Sequence, residues 1–416
     1  MTPSRVLAIS FRMPPLLSPR AVQVHRLLTH WALRGIDITV ICADPRTVPQ
    51  LKWDQDLMNI YPQNIHHKRI IFPKQTKSWL NGAIGIQDCV PDPFRPWIKY
   101  AKEAALNLLK QQDFDLMLTF ANPMTDHLVG LSLKRQVPIP WIAHFSDPWV
   151  DNPYLNETKN FLARYVNANQ EKRVVKCADQ VVFVSEETRE LVMQKYPSHW
   201  WDKAFVIPHY FDPDIYPNQP ERNSNLIFRY VGSFYQFRTP EPLFRALKLL
   251  KDRQAHLLQN VQFEMIGPCA PPSLAKRLCR SYQVEPYVKI CPEIPYLQSL
   301  ESMMGCDVLL LIDASTPSHN VFLPSKLVDY LGAKRPLLGL TPLNGPSAEF
   351  IRQAGGLVAD PEDTAQVASV IETYIKEYRR GILKEKRTPD EGLLATYDVK
   401  QVAPYFYEQL TKRMIP

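Results

Sequence analysis

The sequence predicts an α/β protein of two facing, doubly wound Rossmann-like domains. Three observations carry this expectation. Short apolar runs alternate with amphipathic stretches along nearly the whole chain, the pattern of a parallel sheet covered by helices. The alternation breaks at 210–225, where Tyr210-Phe-Asp-Pro-Asp-Ile-Tyr-Pro-Asn-Gln-Pro-Glu-Arg-Asn-Ser-Asn225 crowds proline, aspartate and asparagine as an interdomain linker does. At 416 residues the chain is also too long for one core. The expected domains are 1–212, joined by a returning C-terminal helix at 395–416, and 213–390.

The first domain starts with strand Val6 to Ser10 and a proline-rich loop (Pro14, Pro15, Pro19). A helix from Ala21 to Leu33 follows, with Val24, Leu27, Leu28 and Trp31 as its apolar stripe and Gly35 at its end, then strand Ile36 to Cys42. So short a strand–helix–strand unit implies a right-handed parallel crossover. Residues 45–100 read as irregular. Strands are legible at 116–120, 141–145, 180–184 and 204–207, with helices at 97–111, 122–135, 158–177 and 186–196. The last opens on Ser185, a hydroxyl cap, followed by Glu186 and Glu187 at the positive end of the helix dipole. In the second domain, strands are expected at 226–231, 261–266, 288–290, 308–312 and 337–340. Helices fall between them at 240–257, 272–282, 296–304, 325–332 and 347–354. Residues 397–413 read as a helix crossing back to the first domain.

Composition narrows the class. With 45% hydrophobic and 22% charged residues the chain is that of a soluble globular protein. No apolar run approaches the roughly 20 residues of a membrane span, and the apolar stretch at the start is too short for a signal peptide, so the expected location is the cytoplasm. The seven cysteines (42, 89, 177, 269, 279, 291, 306) form no CxxC pair, which argues against a zinc or redox motif and for buried thiols. The formal charge of +7 is not gathered into a tract, and suits an anionic ligand or membrane surface better than nucleic acid. Trp79, Arg95, Trp97 and Lys99 are candidates for peripheral membrane contact at the inner face of the cytoplasmic membrane.

In doubly wound sheets, ligands lie beyond the carboxyl ends of the strands. After strand 308–312 comes His319-Asn-Val-Phe-Leu-Pro-Ser-Lys-Leu-Val-Asp-Tyr-Leu-Gly-Ala-Lys-Arg-Pro. Its helix start places Ser325 and Lys326 where free N–H groups favour a phosphate, and Asp329 lies one turn on. After strand 226–231, Gly232 permits close backbone approach, Ser233 follows, and Arg238 precedes a helix, able to grip phosphate or to pair with Glu241. Gly267-Pro268 follows strand 261–266, as a loop facing a flat ring or as a simple turn. In the first domain His144 and Asp147 follow a strand. They are placed to orient an acceptor hydroxyl, or else Asp147 caps a turn and His144 packs under Trp149. The Asp-x-Asp strings at 54–56, 113–115 and 212–214 read as turn or linker residues, so no metal site is expected.

In order, these landmarks resemble the nucleotide-sugar half of retaining glycosyltransferases of the GT-B fold, family 4. Those in question are Gly232-Ser-x-Tyr-x-x-Arg238, Ile266-Gly-Pro268 and Leu323-Pro-Ser-Lys-Leu-x-Asp-Tyr-Leu-Gly-Ala-x-x-Pro336. Pro14-Pro15, Phe145-Ser-Asp-Pro-Trp149, Val184-Ser185 and Val206-Ile-Pro-His-Tyr-Phe-Asp212 extend the likeness through the first half. The resemblance implies that a UDP- or GDP-sugar is the donor, that no cofactor or metal is needed, and that a carbohydrate or lipid-linked molecule is the acceptor, as in polysaccharide biosynthesis. It assigns Arg238 and Lys326 to the donor diphosphate and Asp329 to the ribose.

Three positions depart from the family pattern. Phe322 stands where the first motif glutamate belongs. The loop Phe11 to Arg20 replaces a glycine-rich one, leaving Ser18 and Arg20 as substitutes. Ser233 occupies the place of a further arginine. A sugar-nucleotide epimerase and a catalytically silent GT-B-like scaffold are the rival readings.

Overall fold

The computed structural model describes residues 4–61, 64–73, 90–152, 161–217, 225–235, 237–313, 321 and 323–414. Two compact units emerge, one of Met1–His209 with Val399–Pro416 and one of Tyr210–Asp398.

The first unit holds a seven-stranded, all-parallel sheet in the order β3-β2-β1-β4-β5-β6-β7. Its strands are β1 (Arg5–Ile9), β2 (Asp37–Ala43), β3 (His66–Ile70), β4 (Leu116–Phe120), β5 (Trp141–His144), β6 (Gln180–Phe183) and β7 (Ala204–Val206). Helices cover both faces, so the inner strands are near-continuous apolar runs; every residue of β4 is buried. β3 is the exception and was not foreseen within the stretch read as irregular. It is an edge strand, pairing only with β2, and its sequence His-His-Lys-Arg-Ile carries no apolar alternation.

Helix α1 (Pro19–Ala32) starts where Ser18 Oγ accepts the Ala21 N–H at 3.0 Å. It is followed by α2 (Trp97–Gln111), α3 (Thr125–Lys134), α4 (Phe161–Cys177) and α5 (Glu186–Met193).

The second unit repeats the plan with six parallel strands in the order β10-β9-β8-β11-β12-β13. These are β8 (Leu226–Val231), β9 (Val261–Ile266), β10 (Val288–Cys291), β11 (Val308–Ile312), β12 (Leu337–Leu340) and β13 (Leu357–Ala359). Its helices are α6 (Glu241–Gln254), α7 (Leu274–Ser281), α8 (Tyr296–Met304), α9 (Lys326–Gly332), α10 (Pro346–Gln353), α11 (Thr364–Arg379), α12 (Leu383–Arg387) and α13 (Glu391–Tyr397). β13 and α11 extend this unit beyond the elements read from the sequence. β13 is only three residues long, too short to show a period. Residues 210–217 are part of this unit rather than a free linker: Phe211 pairs with Asp398, and Asp212, 1% exposed, caps a 3₁₀ turn through the Asp214 N–H. Asp54 caps a turn in the same way through the Asp56 N–H.

The last helix, α14 (Val399–Met414), belongs to the first unit. It packs on α1 through Trp31, which is fully buried, lies 5.3 Å from the Phe406 ring and donates from Nε1 to the Ala403 carbonyl at 2.8 Å. Trp31→Phe keeps most of the apolar contact but strands that carbonyl. It is expected to cost about 1–3 kcal/mol, seen as a lower denaturant midpoint and faster proteolysis within 399–414.

The cysteines make no disulfide among the described residues: Cys42, Cys279 and Cys306 are buried, whereas Cys177, Cys269 and Cys291 are half-exposed. Cys89 lies outside the described residues.

Candidate functional site

At the carboxyl edge of the second sheet, two glycine loops meet back to back. Gly232 follows β8 with φ 149°, and Gly267 follows β9 with φ 132°, conformations that side chains other than hydrogen rarely adopt. A Cβ on Gly267 would stand 2.1 Å from the Gly232 carbonyl oxygen, and one on Gly232 would stand 2.5 Å from Lys326 Nζ. The ammonium of Lys326 therefore sits directly over the Gly232 backbone.

Lys326 opens α9. Its Nζ donates to Tyr230 Oη at 2.9 Å and lies 4.1 Å from the centre of that ring. Tyr230 Oη donates in turn to the Ser233 carbonyl at 3.0 Å, and the ring stacks on Phe234 with centroids 4.3 Å apart. Burial, and then repulsion from Arg238, hold the Lys326 pKa well below the ordinary lysine range, against the pull of Asp313.

Arg238 does not pair with Glu241, which instead accepts the Tyr282 hydroxyl at 2.6 Å. Its Nη2 donates to Asp313 Oδ1 at 2.8 Å, and its guanidinium lies 5.3 Å from the Tyr235 ring centre. Burial works against the charge on Arg238, but Asp313 and the neighbouring tyrosines outweigh it and raise its pKa. Asp313 also accepts from Ser347 Oγ at 3.3 Å. Sequence reasoning passed over Asp313, although its position is telling: it is the first residue after the buried strand β11.

Ser325 precedes α9, yet its side chain makes no capping bond, and that helix is only seven residues long. Asp329 Oδ1 accepts from Tyr296 Oη at 3.2 Å, and its carbonyl accepts from Tyr216 Oη at 2.8 Å. Lys326 thus meets β8 while Asp329 meets α8. Phe322 lies outside the described residues. Gly232→Ala pushes a methyl against the Lys326 ammonium and strains φ. The expected result is about 1–2 kcal/mol of stability lost, measured by urea unfolding.

In the first unit, Arg20 and His144 form one group at the carboxyl end of β5. Arg20 Nη2 donates to His144 Nδ1 at 2.9 Å and to its carbonyl at 3.0 Å, and the guanidinium lies over Phe120 at 5.3 Å. Because arginine only donates, Nδ1 must accept, which puts the proton of a neutral His144 on Nε2. Burial, reinforced by Arg20, drives the His144 pKa well down. Its ring packs against Phe120 and Phe406, 5.4 and 5.9 Å away, rather than under Trp149.

Asp147 follows, accepting from Ser146 Oγ at 3.3 Å; burial raises its pKa, and Arg20 opposes the rise. The loop bearing Asp147 is tied down by α4: Trp149 Nε1 donates to Asn167 Oδ1 at 2.8 Å and the Val150 N–H to Glu171 Oε2 at 3.0 Å. Ser18 Oγ is occupied as the α1 cap. Trp97, a candidate for membrane contact, is fully buried, and Trp79 lies outside the described residues. No helix among the described residues is long and apolar enough to cross a membrane.

Residues 21–215 match the sequence profile of Glycosyltransferase Family 4. The likeness to that family covers most of the first unit. Solved structures extend the likeness to both units, and the fold is GT-B. Sucrose-phosphate synthase from Thermosynechococcus elongatus superposes with a TM-score of 0.70 at 16% identity, over 98% of this chain and 99% of that one. HepE of Anabaena, solved in complex with UDP, gives 0.65 at 13%, over 98% and 100% of the two chains. WaaG, a glycosyltransferase involved in lipopolysaccharide biosynthesis, gives 0.64 at 15%, over 98% and 99%. No curated protein sequence matches the chain.

Proposed function

We propose that the chain moves a sugar from a UDP- or GDP-sugar to a carbohydrate or lipid-linked acceptor, with retention and without a metal ion. One observation carries this reading: Lys326 and Arg238, two desolvated cations, stand at the carboxyl edge of one parallel sheet around Tyr230 and the Gly232 backbone. Negative charge grows on the leaving diphosphate as the glycosidic bond breaks, and cations already fixed in place stabilise it without reorganisation. In this reading Asp329 takes the ribose, while the Ser233 and Gly267 loops flank the nucleotide. His144 and Asp147 face the acceptor, where burial, which raises the Asp147 pKa, favours its carboxyl as a proton acceptor more than that of an exposed aspartate. UDP in the HepE structure supports a uridine nucleotide as the first donor to try.

Incubation with labelled sugar nucleotides, with and without glycan and lipid extracts, tests the proposal. Free nucleoside diphosphate released only with acceptor is the expected result. A new sugar nucleotide, or bound donor that is never consumed, overturns it in favour of epimerisation or of a silent binding protein.

A further inference from the structure

The loop after β1 carries an arginine that nothing so far has used. Arg12 is half-buried, lies 5.6 Å from the centre of the Phe94 ring, and among the described residues makes no hydrogen bond or ion pair through its side chain. The other arginines at the carboxyl end of this sheet are engaged. Arg46 grips Asp44 at 3.0 and 2.6 Å, Arg69 donates to the Pro14 carbonyl at 3.0 Å, and Arg20 holds His144.

Two carboxyls stand near Arg12, but neither binds it. Asp126 Oδ2 accepts the Phe11 N–H at 2.9 Å. Asp92 accepts the Thr125 N–H at 3.0 Å, the Thr125 hydroxyl at 2.6 Å and the Phe94 N–H at 3.0 Å. Both carboxyl pKa values are raised, first of all by burial. Burial also lowers that of Arg12, against the pull of Asp126 and Asp92. A guanidinium stripped of much of its water, with its face on an aromatic ring and its edge unused, is a ready fork for an oxyanion.

We propose that Arg12 anchors an oxyanion, a phosphate or a carboxylate, carried by the sugar acceptor. The place of Arg12 beyond β1, in the same unit as His144 and Asp147, puts it on the acceptor side of the transferase reading. The inference rests on that reading for the word acceptor, whereas the oxyanion site stands or falls without turnover.

The test titrates inorganic phosphate, and separately acetate, into the full-length chain by calorimetry. A Lys326→Ala background removes a competing cation of the second unit. Saturable binding that Arg12→Gln weakens at least about tenfold and Arg12→Lys partly restores is the expected result. A preference for phosphate or for acetate then tells a phosphorylated acceptor from an acidic sugar. Binding unchanged in Arg12→Gln, or no saturable binding of either anion at tens of millimolar, overturns the proposal and leaves Arg12 as a counter-charge for Asp92 and Asp126. Nucleoside diphosphate titrated into the Lys326 parent and into Arg12→Gln tests the donor assignment separately, and loss of one site does not entail loss of the other.

Discussion

Lys326→Met lowers turnover about 100- to 1,000-fold, the usual consequence of removing one fixed charge aimed at a developing anion, and weakens nucleoside diphosphate binding. The same substitution leaves the melting temperature at neutral pH unchanged or higher. This follows from the direction of the pKa shift. The unfolded chain holds the Lys326 proton up to about pH 10.4, whereas the folded chain gives it up well below that. Between those two values the unfolded state binds more protons, so this lysine opposes folding at lower pH and the penalty fades as pH rises. Donor binding runs the other way. The diphosphate raises the lysine pKa, a proton is taken up on binding, and affinity falls as pH climbs through the window between the free and bound values. Calorimetry in two buffers of different ionisation heat measures that proton directly. A pH-independent affinity with no proton uptake would show that Lys326 does not meet the diphosphate.

Asp313→Ala is expected to be the most destabilising change at the site, about 3–5 kcal/mol. It leaves Arg238, whose side chain is 10% exposed, buried without its counter-charge, and it also strips Ser347 of an acceptor. Thermal or urea unfolding measures the loss. The paired replacement Arg238→Met with Asp313→Leu, which removes both charges, recovers much of the stability but none of the donor binding. If Asp313→Ala alone were neutral in stability and in donor affinity, Arg238 would have to be held by something other than Asp313.

The difference between what the sequence disclosed and what it concealed has a physical basis. Buried parallel strands such as Val308-Leu-Leu-Leu-Ile312 and capped helices such as the one after Ser185 announce themselves locally, and each lies where it was read. β3 was concealed because an edge strand needs no apolar face, and β13 because three residues show no period. The positions of Lys326 and Arg238 followed from strand ends and spacing. Their partners did not: Tyr230 is 96 residues from Lys326, and Asp313 is 75 from Arg238. Trp97 misled for a related reason, since an aromatic beside arginine and lysine reads alike on a surface and at the buried start of an amphipathic helix.

The docking of α14 on α1 has a consequence for the order of events during synthesis. Trp31 and the carbonyl it binds are 372 residues apart. At roughly 5–20 residues per second, the ribosome delivers that carbonyl roughly 20–75 seconds after the tryptophan. Throughout that interval the Trp31 face of α1 lacks its α14 partner, and by the end of it every strand of the second sheet has been made. The chain segment synthesised second is therefore the first that can complete its core. The segment synthesised first waits for the last helix, and that interval is when a chaperone has most to protect.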